Sequence, residues 1–290
     1  MKANRGSQTA EAIAASRAFH LAWDGAPKIF EDPYAIDLTS SRWRRIVRNR
    51  LLCFLIVRLA LGRLQPARAL AVARARYADD RFNAAYGRGV RQCVLIGAGF
   101  DSFALRRQDM AEHIRVFEID HPATQRLKRA RVAKLGIDQK NVTYVPVDFE
   151  TDSMRDKLLS AGFQPDSVAF LSWLGVTYYL SKEAVFGTFR DIAACAGSGS
   201  EVVFDYIDAD GFRGLPSAAG VRHCMAFAAR RGEPWTQGFE RVELDSGLDR
   251  CGFELAEDVS AAEQEQRYFQ GRGDGLMPLY HSHLACARLR

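Results

Sequence analysis

The segment QCVLIGAGFDS, residues 92–102, decides the fold. Its first five residues form an apolar run that predicts a buried β-strand, and this strand ends at the turn Gly97-Ala98-Gly99. Glycine has no Cβ, so a G-x-G turn after the first strand of an α/β sheet lets the backbone approach a ligand closely. Such sheets bind ligands in the crevice beyond the carboxyl ends of their strands. Taken alone, the same turn would also suit an ordinary strand-to-helix connection.

Two classes of phosphate-binding loop are disfavoured by the same segment. A dinucleotide fingerprint has a third glycine where this chain has Ser102, and that glycine serves close packing of helix on strand. The chain also lacks the G-x-x-x-x-G-K-[ST] pattern that cradles nucleotide phosphates. The turn therefore favours a ligand other than a dinucleotide or a nucleoside triphosphate.

Downstream of this segment, short apolar runs alternate with helical stretches. Alternation of this kind predicts βαβ units and a doubly wound α/β fold with a mostly parallel sheet. Further strands are predicted at residues 115–119, 142–147, 168–172 and 201–206, and helices at 103–111, 123–135, 153–161 and 181–195.

The two ends of the chain depart from that rhythm. Residues 252–259 and 281–289 are typical of two strands with no helix between them, which predicts an antiparallel hairpin at the sheet edge. Residues 1–90 show helical signals only, at 10–20, from Asp32-Pro33, at 42–64 and at 67–86. We therefore predict a helical cap over residues 1–90 and a ligand-binding domain over 91–290, joined as one structural unit. A long loop at 208–238, with a helix at 218–231, is expected to cover the site.

Carboxylates follow the second and third predicted strands. Asp120 comes 21 positions after Gly99, a spacing at which an acidic residue can accept hydrogen bonds from ribose hydroxyls. Asp148 and Phe149 follow the next strand, where a carboxylate can accept from an adenine amino group and a ring can pack on the base. The alternatives are a helix N-cap at Asp148 or Asp152 and a core position for Phe149. Together the strand ends indicate a nucleoside pocket.

The charge of the chain is unevenly distributed. Its net charge is +5, yet no acidic residue lies between Asp37 and Asp79, a stretch that contains ten arginines. Such a run is either a solvated helical face or a surface that attracts an acidic substrate, a membrane surface or a nucleic acid. An RNA-binding enzyme is disfavoured, because no aromatic-interleaved RNA module is visible.

Cysteine spacing and hydropathy indicate the cellular compartment. The six cysteines are scattered without a C-x-x-C pair, so neither a disulfide framework nor a zinc site is predicted, and we expect no bound metal. The longest apolar run, residues 51–57, is far shorter than the ~20 residues of a membrane span. No secretory signal is visible at the N-terminus. We expect a cytoplasmic protein with no transmembrane segment.

Three motifs in order, IGAGFDSFALR, FEIDHP and VPVDFE, resemble those of the leucine carboxyl methyltransferase family. The resemblance is closer to its bacterial branch of S-adenosylmethionine-dependent methyltransferases, some of them linked to polyketide and other secondary metabolism. TAEAIAASRAFH, KIFEDPYA and ARARYADDRF extend the likeness, so that it covers residues 9–207. The resemblance implies a class I methyltransferase with a Rossmann-like sheet of seven strands and S-adenosylmethionine as its cofactor.

The resemblance also implies roles for individual residues. The Gly97-Ala98-Gly99 turn would line the methionine and ribose of the cofactor, and Asp120 would hold the ribose hydroxyls. Asp148 and Phe149 would bind the adenine.

The ARAR segment would supply an arginine for the methionine carboxylate, which its planar fork can bind with two hydrogen bonds. Both Arg74 and Arg76 fit, and the register stays open. The chain departs from the family at Leu174, where many relatives carry an acidic residue before Gly175. Trp173 would wall the cofactor pocket, or else belong to the core.

The implied reaction transfers a methyl group to a nucleophile of a small molecule, most simply a carboxylate or hydroxyl oxygen. The arginine-rich cap favours an anionic acceptor. A carboxylate needs no general base, whereas a hydroxyl would benefit from one. Weak candidates for that base are His223, Tyr178, Tyr206 and Asp205. Alternatives are a protein carboxyl methyltransferase and a non-catalytic protein that binds S-adenosylmethionine; the oligomeric state is left open.

Overall fold

Seven strands form one sheet in the computed structural model, which describes residues 7–56, 62–148 and 151–290. The order is β3-β2-β1-β4-β5-β7-β6; the first five are parallel, and β7 runs antiparallel to both β5 and β6. The predicted doubly wound, mostly parallel sheet is confirmed. The strands are β1 Gln92–Ile96, β2 Arg115–Asp120, β3 Val142–Pro146, β4 Ala169–Trp173, β5 Glu201–Ile207, β6 Phe253–Val259 and β7 Ser282–Leu289.

The centre of the sheet lies at β1, whose five residues are all buried. β1 pairs with β2 on one side and with β4 on the other, so the strand order reverses beside β1. In open α/β sheets a reversal of this kind opens a crevice beyond the carboxyl ends of the strands. The sequence places the Gly97–Gly99 turn at that point.

Helices cover both faces of the sheet. The longest, α4, packs its alanine-rich face on one side together with residues of β1 and β7, and α8 and α10 pack on the other side. Because α4 belongs to this core, it is both part of the cap and a support of the sheet. The helices are α1 Gln8–Trp23, α2 Ser41–Arg48, α3 Arg50–Cys53, α4 Gln65–Gly87, α5 Phe103–Arg106, α6 Pro122–Val132, α7 Met154–Ser160, α8 Lys182–Ala193, α9 Ala219–Ala229, α10 Arg241–Arg250 and α11 Ala261–Gln264.

The cap differs from the prediction at two points. Residues 33–38 form turns instead of a helix, since the buried Asp32 carboxylate accepts hydrogen bonds from Arg17 Nε (2.8 Å) and from the backbone N–H of Tyr34 (3.2 Å). The predicted helix at 42–64 is interrupted at Asn49, which is extended and whose side chain accepts from the Leu52 N–H (3.0 Å) as an N-cap. Residues 57–61 of that stretch lie outside the described residues.

The predicted antiparallel hairpin of β6 and β7 is confirmed at the sheet edge, with β7 as its inner strand next to β5. The expected absence of a helix between β6 and β7 is wrong, because α11 and a π-helical turn at Glu265–Phe269 lie there. Ser260 and Glu263 form a capping box that starts α11, a signal present in the sequence.

Candidate active site

A cavity of about 500 Å³ lies beyond the carboxyl ends of β1 and β4, beneath helices α1 and α4. This volume is in the range of pockets that enclose small organic ligands. Its walls come from the residues after β1, from residues 174–180 after β4, from the cap helices, and from residues 232–236 after α9. The sheet and the predicted cap therefore close on one site.

The glycine turn forms the floor of this cavity. Gly97 and Gly99 have φ values of +67° and +51°, a region that L-residues rarely adopt. A Cβ added at Gly97 would lie 2.7 Å from Val176 Cγ2, and one at Gly99 would lie 3.2 Å from Ala10 Cβ. Both glycines are needed for backbone conformation and for space, so the predicted close approach of backbone to ligand is available.

Asp120 ends β2 in the wall beside this turn. Its carboxylate accepts hydrogen bonds from the backbone N–H of His121 (2.6 Å) and from that of Gly99. Burial raises the pKa of Asp120, and the two backbone N–H donors oppose that rise by stabilising the charged form. Asp120 thus fixes the glycine turn and still presents an acceptor group to the cavity.

Arg74 projects from α4 into the cavity and is buried. Its Nη1 donates to Tyr178 Oη (2.9 Å) and to Asp205 Oδ2 (3.1 Å), while Asp205 Oδ1 accepts from the backbone N–H of Gly175 (2.5 Å). Burial alone would lower the pKa of Arg74, but Asp205 and Tyr178 reverse that effect and raise it. Arg74 is therefore a fixed cation in the cavity wall.

Arg76 is placed differently. Its side chain is 47% exposed and pairs with Asp80 (Nε to Oδ1 2.8 Å) on the outside of α4. Within the described part of the chain it does not line the cavity. Residues two apart on a helix point about 200° apart, so only one arginine of the ARAR segment can reach the site.

Arg17 of α1 was missed by the sequence analysis. It is buried in the cavity wall, where Nε donates to Asp32 Oδ2 (2.8 Å) and Nη2 donates to the carbonyl of Phe100 (2.7 Å). Arg17 thereby ties the cap to the glycine turn. Its sequence context carries no signal for this role, because the partners lie 15 and 83 positions away.

The family model for leucine carboxyl methyltransferases matches residues 10–193, more than half of the chain. The chain belongs to the leucine carboxyl methyltransferase family. The resemblance drawn from the three ordered motifs is confirmed, and with it the predicted enzyme class, a methyltransferase.

Two named relatives of this family member are bacterial proteins. It is 31% identical over 293 residues to "Putative S-adenosyl-L-methionine-dependent methyltransferase YktD" of Bacillus subtilis, with 95% of each chain covered. A Mycolicibacterium smegmatis protein, also described as a "Putative S-adenosyl-L-methionine-dependent methyltransferase", is 32% identical over 206 residues, covering 68% of this chain and 64% of its own length. The cofactor predicted from the sequence is the one that both descriptions name.

Among solved structures, the mitomycin 7-O-methyltransferase MmcR is similar to this family member with a TM-score of 0.47 and 16% identity. The similarity covers 70% of this chain and 50% of that one.

Two residues predicted for the site face the other side of the sheet. Ser172 and Leu174 line the cavity, so Trp173 between them points away, and it is 1% exposed and packed edge-on against Phe189. The prediction that Trp173 walls the cofactor pocket is wrong, and its alternative, a core position, is what the fold shows. Tyr206 is likewise turned away from the cavity and donates to Asp258 (3.1 Å).

The remaining base candidates have distinct surroundings. Tyr178 lines the cavity, but burial and the nearby Asp205 raise its pKa well above the ordinary value, so the phenol stays protonated at neutral pH. Asp205 is bound to Arg74 and Gly175. His223 lies on α9 but does not line the cavity. The residues of α9 that line it are Cys224, Phe227 and Ala228.

The predicted adenine contacts lie at the border of the described residues. Asp148 follows β3, and its backbone N–H donates to Asp152 Oδ2 (3.0 Å), while the Asp152 N–H donates back to the Asp148 carbonyl (2.8 Å). Asp148 is thus part of the turn before α7. Phe149 lies outside the described residues.

Aromatic side chains surround the part of the cavity beneath the cap. Tyr178 and Trp235 pack with ring centroids 4.2 Å apart, and Tyr179 meets Trp235 edge-on. Phe19 of α1, Trp43 of α2 and Phe227 of α9 line the same cavity. Arg68 also lines it, with its guanidinium 4.5 Å over the Phe19 ring and 3.1 Å from Asp24 Oδ2. This region suits a largely apolar ligand with an anionic or polar group.

Proposed function

We propose that this family member transfers the methyl group of S-adenosylmethionine to a carboxylate or hydroxyl oxygen of a small molecule bound in the cavity beneath α1 and α4. The observation that carries the proposal is that Arg74, Asp120 and the glycine turn line the same cavity. A fixed cation can bind the amino-acid carboxylate of the cofactor, a carboxylate can accept from its ribose hydroxyls, and a close backbone leaves room for the sulfonium-bearing chain between them.

The donor set of Arg74 supports binding of the methionine carboxylate. Among the described residues, its two hydrogen bonds both use Nη1, so the N–H groups on Nη2 and Nε remain for a carboxylate. A guanidinium edge of this kind donates two parallel hydrogen bonds to a carboxylate. Arg74 rather than Arg76 is our assignment for this role.

The floor of the cavity supports binding of the rest of the cofactor. Gly97, Ala98 and Gly99 leave room that a side chain at either glycine would fill. Asp120 faces the same space and carries acceptor oxygens for ribose hydroxyls. Binding of the adenine by Asp148 and Phe149 remains part of the proposal.

When bound, the cofactor supplies an electrophilic methyl group on a sulfonium. The chain contributes position and exclusion of water: the aromatic wall at Tyr178, Tyr179 and Trp235 encloses the acceptor region. Since the Tyr178 phenol stays protonated, it can donate a hydrogen bond and is a poor base. An acceptor that is already ionised, such as a carboxylate, fits this arrangement best.

The family name favours a second candidate acceptor, the terminal carboxyl group of a protein. The cavity lies beneath α1, α2 and α4, and this enclosure supports a small molecule over a folded partner. Methyl transfer from labelled cofactor to a panel of small carboxylic acids, phenols and carboxyl-terminal peptides distinguishes the two. Transfer to peptides alone would replace the small-molecule proposal. A preference for neutral over acidic acceptors would contradict the proposal of an anionic acceptor.

We propose that the reaction takes place in the cytoplasm.

Calorimetric titration with S-adenosylmethionine and S-adenosylhomocysteine tests the cofactor site. We expect binding by the native chain and a loss of at least about tenfold in affinity for Arg74→Ala, since two charge-assisted hydrogen bonds are removed. Arg76→Ala, on the outside of the same helix, is the matched control and should bind normally. Equal losses in both variants would refute the assignment of Arg74.

A further inference from the structure

The segment from α2 through α3 exposes both basic and apolar side chains. In α2, Ile46 and Val47 are buried, and Trp43 and Val47 line the cavity. Arg42, Arg45 and Arg48 are exposed on the opposite side of the helix, and Arg50 is exposed at the start of α3. One face of α2 therefore belongs to the active-site wall and the other presents positive charge outward.

Three large apolar side chains continue this surface. Leu51, Phe54 and Leu55 are 66%, 51% and 45% exposed. Their spacing of i, i+3 and i+4 places them on one face of the helical segment at residues 50–56, while Cys53 is buried on the other. Of the other large exposed apolar residues, Leu127, Val168, Leu215 and Val242 lie far apart in sequence, and Met277 and Tyr280 form only a pair. A contiguous exposed patch of this kind marks an interaction surface.

The four arginines lack acidic partners within the part of the chain that the structure describes. No acidic residue occurs between Asp37 and Asp79. Over residues 7–56, 62–148 and 151–290, none of Arg42, Arg45, Arg48 and Arg50 lies in an ion pair. By contrast Arg17, Arg68 and Arg74 of the cap are each paired with an aspartate. The charge of the outer face is left for an external anion.

We propose that this basic–apolar patch, formed by the four arginines with Leu51, Phe54 and Leu55, docks the protein on a bilayer surface that contains anionic phospholipids. Interfacial helices combine a basic polar face with Leu and Phe on the apolar one, and enter the headgroup boundary without spanning the membrane. Arginines near the surface are attracted by anionic headgroups. Among the described residues no helix is long and apolar enough to cross a membrane.

Two other occupants fit the patch less well. A second copy related by twofold symmetry would bring the same arginines of both chains together, and like charges would repel. An RNA could place its phosphates on the arginines, but it would leave Leu51 and Leu55 without suitable partners. Proteins that bind single-stranded RNA stack its bases on aromatic rings and not on leucine side chains. The headgroups of an anionic bilayer can pair with the arginines, and its acyl boundary can cover the apolar side chains of the patch.

The patch and the cavity share helix α2. Trp43 and Val47 face the cavity while Arg42 and Arg45 face outward. Docking would therefore bring the active-site wall to the membrane surface. This inference does not depend on the identity of the acceptor.

Flotation with lipid vesicles tests the inference with the full chain. We expect the native protein to float with vesicles of phosphatidylcholine and phosphatidylglycerol, and to be released at high salt, since screening weakens such attraction. It should not float with phosphatidylcholine alone. Failure to bind the anionic vesicles, or equal binding to neutral ones, would overturn the proposal.

Two sets of substitutions separate the contributions of the arginines and of the apolar side chains to vesicle binding. Replacing the four arginines (R42Q, R45Q, R48Q and R50Q together) should reduce the bound fraction at least about tenfold by removing the electrostatic attraction. Leu51→Ser with Phe54→Ser and Leu55→Ser should also reduce it. Arg126→Gln with Leu127→Ser, an exposed pair on α6, is the matched control and should bind as the native chain does.

Calorimetric binding of S-adenosylhomocysteine and circular dichroism check that each variant is folded. Loss of vesicle binding with normal cofactor binding supports the proposal. A control variant that loses vesicle binding to the same extent as the patch variants would refute the patch as the docking site. Binding of RNA through the same arginines, with no binding to anionic vesicles, would assign the patch to a nucleic acid instead.

Discussion

Arg74 and Asp205 form a buried ion pair, with Nη1 3.1 Å from Oδ2, where cap helix α4 meets strand β5. The same carboxylate accepts from the Gly175 N–H through its other oxygen (2.5 Å). Asp205 thus joins three parts of the site: the cap, the central sheet and the segment after β4. Orientation of the arginine depends on this aspartate, although the aspartate itself does not line the cavity.

Removing Asp205 should destabilise the fold. Asp205→Ala leaves the Arg74 charge buried without its partner, and breaking such a pair costs about 3–5 kcal/mol of unfolding free energy. Urea denaturation of the native and variant chains measures this loss. Asp205→Leu combined with Arg74→Met should recover much of it, since an apolar pair of similar volume leaves no unpaired charge. A double variant no more stable than Asp205→Ala would contradict this account.

Gly175→Ala should disturb Arg74. Gly175 has a φ of +73°, and an added Cβ would lie 2.5 Å from Arg74 Nη2. Gly214 has a φ of +75° with open space around it, so Gly214→Ala reports the backbone strain alone, about 1 kcal/mol. We expect Gly175→Ala to lose more stability than this control and also to lose cofactor affinity in calorimetry. Equal behaviour of the two variants would show that Arg74 moves aside freely.

Tyr178→Phe should leave the pH profile of methyl transfer unchanged. Burial, with Asp205 nearby, holds the pKa of this phenol well above its usual range, so it is protonated at neutral pH in the native chain. The variant loses a hydrogen-bond acceptor for Arg74 (2.9 Å), which should raise the KM for the cofactor a few-fold. Initial rates from pH 6 to 9 provide the measurement. A basic limb that disappears in the variant would identify Tyr178 as a general base after all.

His283 should make the stability pH-dependent. Burial opposes its charge, but the carboxylates of Asp208 and Asp258 raise its pKa to about 9 from 6.5, and Asp258 Oδ1 accepts a hydrogen bond from His283 Nδ1 (3.0 Å). Because the folded pKa lies above the unfolded one, the stabilisation is fully present below pH about 6.5 and is lost as the pH rises through about 9. The size is up to about 3 kcal/mol. Urea titrations at several pH values should show this decline in the native chain and a flatter profile for His283→Gln.

The fold was predictable because its signals are local. The apolar run at residues 92–96 and the glycines after it mark β1 and the turn, and the alternation of strands and helices predicts the parallel sheet. Strand order at the C-terminus was not predictable, since the pairing of β7 with β5 joins residues about 80 positions apart. The capping box of Ser260 and Glu263 is a local signal that marks the start of α11.

The site was predictable where strand ends determine it. Gly97, Gly99 and Asp120 line one cavity, as their positions after β1 and at the end of β2 indicate. The choice between Arg74 and Arg76 depends on which face of α4 meets the sheet, which only tertiary packing decides. Trp173 was assigned to the wrong side, although alternation along β4 with Ser172 would have indicated the opposite face.

The double role of α4 restricts how ligands can leave. Ala69, Val72 and Tyr77 of this helix are packed in the core of the sheet, so α4 cannot swing away without unfolding that core. On the far side, the Ser7 hydroxyl at the start of α1 donates to Glu233 Oε2 (3.1 Å), and both residues line the cavity. Thr236 also donates to the carbonyl groups of Tyr178 and Leu180, but a few hydrogen bonds are a smaller barrier than a packed helix. We therefore expect α1 and the 232–236 segment to part during turnover, so that product and spent cofactor leave on that side and not past α4.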